Sequence, residues 1–128
     1  MLVQTAMALF LLMILLTGST SAWAAERGDA ERGRALFNGK GICSYCHGTD
    51  GHSDQRPQLG KETADVVARL ATTAPNLRDA KPLRLKTDRE RTKIIREGHT
   101  GTGMLPDATL TDRDVTDILV YLEKLRGK

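Results

Sequence analysis

The chain has 128 residues, with 19 Lys and Arg side chains against 16 Asp and Glu, and a formal net charge of +3 at pH 7. An excess this small, without a block of basic residues or interleaved aromatics, argues against nucleic-acid binding and is compatible with an acidic protein partner. The length suits one modest domain, and such domains usually depend on a disulfide, a metal or a cofactor for stability.

The first 24 residues have the pattern of a secretory signal peptide. The uncharged run AMALFLLMILL at residues 6–16 is shorter than the roughly 20 residues that span a bilayer. Ala22 and Ala24 form the small-x-small pattern of a cleavage site, which predicts cleavage after Ala24 and a mature domain of residues 25–128. No Lys or Arg precedes the apolar run, so a retained membrane anchor is the alternative. The pattern predicts an exported, periplasmic protein.

The mature region has the periodicity of four helices, and no convincing strand pattern. The first helix is predicted over about residues 29–38, because Gly39 and Gly41 follow it as stop signals. The second is predicted over residues 62–73, before Pro75. Its apolar side is predicted to consist of Val66, Val67 and Leu70.

The third and fourth helices have stronger start signals. Thr87 is placed to cap the third helix, with Glu90 closing a capping box. Thr111 and Asp114 repeat this pattern at the fourth helix. The apolar positions of the fourth helix follow helical spacing at Val115, Ile118, Leu119, Leu122 and Leu125.

Two connections, residues 48–61 and 74–86, are long for so small a helical domain. Loops of that length indicate either disorder or function. A large apolar cofactor would give both loops a surface to pack against.

The stretch CSYCH contains both cysteines of the chain, Cys43 and Cys46. A disulfide closing so short a loop would stabilise the fold little, and a thioredoxin-like dithiol would need a preceding strand. A structural zinc site needs four ligands. Only His47, His52 and His99 could join the two cysteines, and they lack the usual paired spacing.

The remaining interpretation of CSYCH is covalent haem attachment, for which CxxCH is the known signature. It predicts one haem c per chain, with thioether bonds at Cys43 and Cys46 and iron ligation by His47.

With these residues in view, nearly the whole mature region resembles the small monohaem class I cytochromes c. Gly33 and Phe37 match the glycine and aromatic that lie on the family's first helix and cross its last. YLEKL at residues 121–125 is similar to the family's YLxxL stretch. Gly33 and Phe37 alone fit an ordinary amphipathic helix equally well, but their position relative to CSYCH favours the family. The resemblance implies an all-α, cytochrome c-like orthogonal helical domain wrapped around one covalently attached haem.

The mature region has one methionine, Met104, in a glycine-rich stretch before the last helix. A lone methionine usually fills a core, but Gly101 and Gly103 make a loop that can approach a flat ring. In the family, a methionine in such a loop supplies the sixth iron ligand, which implies this role for Met104. His99 is the competing ligand and would give a bis-histidine haem of lower potential.

The resemblance also implies that a proline carbonyl accepts the second ring proton of His47. PQL at Pro57 and PNL at Pro75 both offer the PxL turn of the family. Pro75 is favoured because APNLRD is followed by a capped helix and then by the methionine. The segment before Pro75, including the second helix, would be an insertion near the haem edge.

The predicted function is electron transfer, not enzyme catalysis. The haem iron cycles between Fe(II) and Fe(III), and the partners are redox proteins met through weak, charge-steered contacts. Lys40 is a candidate docking charge, with an ordinary solvated lysine as the alternative. Two other functions fit the same residues: a haem c subunit of a membrane-associated dehydrogenase or oxidase complex, and a gas-binding protein or enzyme in which Met104 is not bound.

Overall fold

The computed structural model describes residues 27–79 and 87–127, and within these ranges it contains helices and no strand. The helices are α1 (Ala30–Asn38), α2 (Cys43–His47), α3 (Lys61–Leu70), α4 (Asp88–Glu97) and α5 (Asp112–Leu125), with 3₁₀ turns at Thr49–Gly51 and Ala71–Thr73. The all-α fold class is confirmed. The predicted signal peptide, residues 1–24, lies outside the described residues, as do residues 80–86 of the second long connection.

Side-chain caps fix where three of the helices begin. Asp29 accepts hydrogen bonds from the first-turn amides of α1. Both predicted capping boxes are confirmed, Thr87 with Glu90 at α4 and Thr111 with Asp114 at α5. Each box satisfies backbone donors that the first turn of a helix leaves unpaired.

The core forms where α1 crosses α5 at backbone contact distance. A Cβ atom on Gly33 would lie 2.0 Å from the carbonyl oxygen of Asp117, so only glycine permits this approach. Phe37 is 1% exposed, and its ring meets that of Tyr121 edge-on at a centroid distance of 5.6 Å. The crossing predicted from Gly33, Phe37 and residues 121–125 is therefore confirmed. The buried cluster consists of Phe37, Leu110, Val115, Ile118, Leu119, Tyr121 and Leu122.

Helix α3 buries a narrower stripe than its sequence predicts. Val67 is 8% exposed and Ala71, one turn later, is 5% exposed, whereas Val66 is 44% exposed. Val66 belongs to the predicted apolar side but is left exposed, because the buried row follows the i, i+4 spacing of Val67 and Ala71. Leu70 is half-buried.

Two buried carboxylates are enclosed by basic side chains at the α1–α5 crossing. Arg32 pairs with both Asp114 and Asp117, and Arg113 Nε lies 3.1 Å from Asp117 Oδ1. Lys40 Nζ donates to Asp114 Oδ2 at 2.8 Å. Hydrogen bonds from Lys40, from Thr111 and from Arg32 hold the pKa of Asp114 well below its usual range. Lys40 is thus paired with a buried carboxylate although its own side chain is 48% exposed, a pairing that neither interpretation of this lysine anticipated.

Candidate cofactor site

The chain enters α2 through a strained turn. Ile42 has φ 47°, a left-handed conformation that β-branched residues rarely adopt. Its amide donates to the Gly39 carbonyl at 2.9 Å, and its own carbonyl accepts from Tyr45 N at 3.1 Å. These bonds hold a turn that delivers Cys43 to the start of α2, a helix that sequence periodicity did not predict because it is only five residues long.

Cys43 and Cys46 lie at both ends of one turn of α2, and both are free thiols of intermediate exposure. Burial raises the pKa of the Cys43 thiol to about 12 and also raises the pKa of Cys46. A redox dithiol works through a thiolate of lowered pKa, so these shifts oppose the thioredoxin-like alternative. They leave two neutral thiols one helical turn apart, and thioether formation consumes such groups.

His47 ends the same helix and is held by a proline carbonyl. Its Nδ1 lies 3.1 Å from the carbonyl oxygen of Pro75. A carbonyl only accepts, so Nδ1 carries the proton and the lone pair of a neutral ring is on Nε2. Burial lowers the pKa of His47, which favours that neutral ring. Nε2 makes no hydrogen bond to any residue in the described ranges, and this is the arrangement of a metal-binding histidine.

Pro75 itself is fixed from both sides. Ala74 N donates to the Ala71 carbonyl at 3.0 Å, directly before the proline. After it, Asn76 Oδ1 accepts from Arg78 N, and Arg78 Nε reaches the Asp50 carbonyl at 3.0 Å. The carbonyl that accepts the His47 proton therefore belongs to a segment that hydrogen bonds hold on both sides.

The loop after His47 is closed by backbone contacts. Gly48 has φ 81°, and a Cβ on it would lie 1.6 Å from the carbonyl oxygen of His52. Thr49 N donates to the Gln55 carbonyl at 2.7 Å, which closes the loop. His52 is half-buried at this turn, and Pro57 lies beyond the closed loop.

Asp50 ties this loop to α1 and α5. Its carboxylate accepts from Arg34 Nε at 2.9 Å, from Asn38 Nδ2 at 2.7 Å and from Tyr121 Oη at 2.9 Å. These bonds, with that from Arg34 the strongest, hold the pKa of Asp50 well below its usual range. Sequence reasoning missed this residue because its three partners are 12, 16 and 71 positions away.

Met104 lies in a loop that closes on itself, residues 98–104, called the methionine loop here. His99 N donates to the Met104 carbonyl at 3.0 Å, and Met104 N donates to Thr102 Oγ1 at 3.2 Å. The Met104 side chain is half-buried, whereas His99 is exposed. A Cβ on Gly103 would lie 1.9 Å from the Leu70 carbonyl oxygen, so the loop meets the end of α3 at backbone distance.

Large apolar side chains next to these residues are exposed. Ile42, directly before Cys43, is 55% exposed, and Leu105, directly after Met104, is 65% exposed. Val66 of α3 is the third such residue in the described part of the chain. Two thiols, a neutral imidazole, a thioether and an apolar surround fit a covalently bound haem.

The side-chain geometry is less suited to the zinc alternative. Among residues 27–79 and 87–127, no three His, Cys, Asp or Glu side chains form a group that could hold a metal ion. A structural zinc site needs four such ligands.

Comparison with family models gives a match over residues 28–122, to the family described as cytochrome C oxidase, cbb3-type, subunit III. Comparisons with curated proteins and with solved structures returned no match. The matched range contains α1 to α5 almost completely, and Cys43, Cys46 and His47 fit the CxxCH motif that binds haem c covalently. Since the match spans most of the chain, the protein belongs to the family of cytochrome c oxidase, cbb3-type, subunit III, and is a small c-type cytochrome that carries haem c and serves electron transfer.

Proposed function

We propose that the protein is an exported carrier that passes single electrons between two redox proteins. In this proposal Cys43 and Cys46 would hold the haem by thioether bonds, and His47 and Met104 would ligate its iron. When bound, the haem supplies an iron centre that alternates between Fe(II) and Fe(III). The residues of the chain attach it, orient its ligands and set its potential, and no substrate is transformed.

The contact between His47 Nδ1 and the Pro75 carbonyl is the observation that carries the proposal. It fixes the tautomer and the orientation of the ring, so that Nε2 is presented as a ligand beside two free cysteines. In the described ranges Nε2 has no hydrogen-bond partner of its own, so it is open to a ligand.

The proposal for Met104 depends on its loop. Hydrogen bonds from His99 and Thr102 give the backbone around Met104 a closed shape, and its side chain is half-buried. A second protein ligand favours outer-sphere electron transfer over binding of small molecules, and a thioether opposite histidine raises the reduction potential. His99 is exposed, which favours Met104 over it.

The test is the absorption spectrum of protein made in a host that exports and matures c-type cytochromes, recorded in both oxidation states. We expect a low-spin haem whose methionine-to-iron charge-transfer band is lost in Met104→Ala and kept in His99→Ala. Carbon monoxide should bind the ferrous Met104→Ala protein and not the wild type at the same concentration. A Met104→Ala spectrum identical to the wild type would contradict the ligand assignment.

A second candidate, favoured by the description of the family, is a haem c subunit of a membrane-associated oxidase complex. A haem c subunit of a dehydrogenase complex would use the same residues to hold the haem. In the described ranges no helix is long and apolar enough to cross a membrane. Intact mass distinguishes the candidates: a carrier is expected to be cleaved after Ala24 and purify alone, whereas a subunit would retain residues 1–24 or purify with larger chains.

A further inference from the structure

We infer that α3 and its 3₁₀ turn, residues 61–73, position the methionine loop through the backbone contact between Leu70 and Gly103. Leu70 and Gly103 are then positioning residues for iron ligation by Met104. This inference rests on the proposed function, because it concerns Met104 as an axial ligand.

The contact is between two backbones and tolerates no side chain. A Cβ on Gly103 would lie 1.9 Å from the carbonyl oxygen of Leu70 and 2.6 Å from its carbonyl carbon. The neighbouring Gly101 has nothing within 4 Å of its would-be Cβ. The close approach is therefore local to Gly103, the residue directly before Met104.

Helix α3 is anchored independently of the α1–α5 core. Val67 of α3 and Ala71 of its 3₁₀ turn are buried, and both are absent from the cluster around Phe37. The helix contacts α2, which contains Cys43 and His47. Contact with α3 therefore fixes the position of the methionine loop relative to α2, the helix that attaches the haem.

The same segment supports both proposed axial ligands. Leu70, at the end of α3, meets the methionine loop, and Pro75, five residues later, accepts the His47 proton. The turn Ala71–Thr73 connects them, and the bond from Ala74 N to the Ala71 carbonyl ties it to Pro75. This segment therefore fixes the position of the carbonyl that holds His47 relative to the backbone next to Met104.

The bonds within the methionine loop do not fix its distance from the haem-attachment helix. They join His99, Thr102 and Met104 to one another, and the loop's other bond partner is α4. The contact with Leu70 relates the loop to α3 and, through α3, to α2. Shifting Gly103 should move the Met104 thioether without unfolding the core.

Gly103→Ala in the haem-loaded full chain tests the inference. The loop must retreat from Leu70, so imidazole, competing for the ferric iron, should bind about tenfold more tightly than to wild type. The methionine-to-iron charge-transfer band should weaken and the reduction potential should fall. Gly60→Ala is the matched control, since a Cβ there meets nothing within 4 Å, and it should keep the wild-type band and affinity.

Val67→Ala and Thr63→Ala form a second matched pair, which decides the matter if Gly103→Ala fails to load haem. Val67 is 8% exposed and Thr63, on the same helix, is exposed, so a truncation to alanine loosens α3 in the first and spares its packing in the second. Imidazole should bind Val67→Ala roughly threefold more tightly and bind Thr63→Ala as it binds wild type.

Met104→Ala distinguishes a failure of the positioning role from a failure of the ligand assignment. If it loses the charge-transfer band while Gly103→Ala and Val67→Ala keep wild-type bands and imidazole affinities, the positioning role is wrong and the proposed function stands. If Met104→Ala itself keeps the band, the ligand assignment fails and the inference fails with it.

Discussion

Different interactions hold the structure of two regions of this molecule. The core side, formed by α1 and α5, buries an apolar cluster in which Phe37 and Ile118 are each 1% exposed. The ligand side, formed by α2, α3 and the methionine loop, buries few apolar side chains and leaves Ile42, Val66 and Leu105 exposed. Its shape comes from close backbone approaches at Gly48 and Gly103.

The core side can be stable without the haem, and the ligand side cannot. Side-chain burial supplies most of the favourable free energy of folding, so the core side carries its own stabilisation. Backbone contacts specify a shape but bury little apolar surface, so the ligand side depends on the haem to complete its packing. In such a small domain, attachment of the cofactor stabilises the folded conformation of the ligand side.

The largest expected effect is at the crossing of the core side. Gly33→Ala places a Cβ 2.0 Å from the Asp117 carbonyl oxygen, so α1 and α5 must separate. We expect a loss of about 4 kcal/mol in the free energy of unfolding, the upper range for overpacking, measured by chemical denaturation. Gly60→Ala is the control in open space. A loss below about 1 kcal/mol for Gly33→Ala would show that the crossing is not tightly packed.

The second effect tests whether the two sides differ in their dependence on haem. In Cys43→Ala/Cys46→Ala, which cannot attach haem, hydrogen-exchange protection should fall about a hundredfold in α2, α3 and the methionine loop. Amides of α5 should lose less than about tenfold, because its packing against α1 uses protein side chains alone. Equal losses in α3 and α5 would contradict the division into two sides.

The core side could be predicted from sequence because its determinants are local. The capping boxes at Thr87 and Thr111 need partners only three residues away, so a short pattern reveals them. Gly33 and Phe37 were identified through the resemblance to the cytochrome c family and their position relative to CSYCH, and the closeness of the crossing follows from the missing Cβ. The CxxCH motif likewise lies within five residues.

The rest could not be predicted because its partners are distant in the chain. Lys40 pairs with Asp114 across 74 positions, and nothing near Lys40 distinguishes it from a solvated lysine. The contact of Leu70 with Gly103 joins two backbones, which leave no side-chain pattern at all. The exposure of Val66 depends on the direction from which neighbouring elements approach α3. Helical periodicity shows which residues form the apolar face, but not which part of that face is covered.

A smaller effect is expected at Asp50, which joins the two sides. Asp50→Asn removes a charge that accepts bonds from Arg34, Asn38 and Tyr121, and should cost about 2 kcal/mol of unfolding free energy at pH 7. The pKa of Asp50 is depressed, so its contribution is present above its unfolded pKa of about 4 and is lost as the pH falls further. The stability difference between wild type and variant should therefore shrink from pH 5 to pH 3. A constant difference over that range would mean that the carboxylate charge is not responsible.

The smallest effect is expected at Tyr121, the partner of Asp50 on the core side. Burial and the Asp50 carboxylate raise the pKa of Tyr121 to about 12, so its hydroxyl keeps its proton and donates to Asp50 Oδ1 at 2.9 Å. Tyr121→Phe removes this one bond and keeps the ring beside Phe37, so about 1 kcal/mol should be lost in chemical denaturation.

The cost of Tyr121→Phe should fall in the Asp50→Asn background, because the bond then lacks its charged acceptor. Asp50 lies in the loop directly after His47, so this bond links that loop to the core side. If the link transmits strain, Tyr121→Phe will also change the haem absorption spectrum. If the spectrum is unchanged while stability falls, the α1–α5 core stabilises the molecule without setting the ligand geometry, and that task belongs to Pro75 and the segment before it.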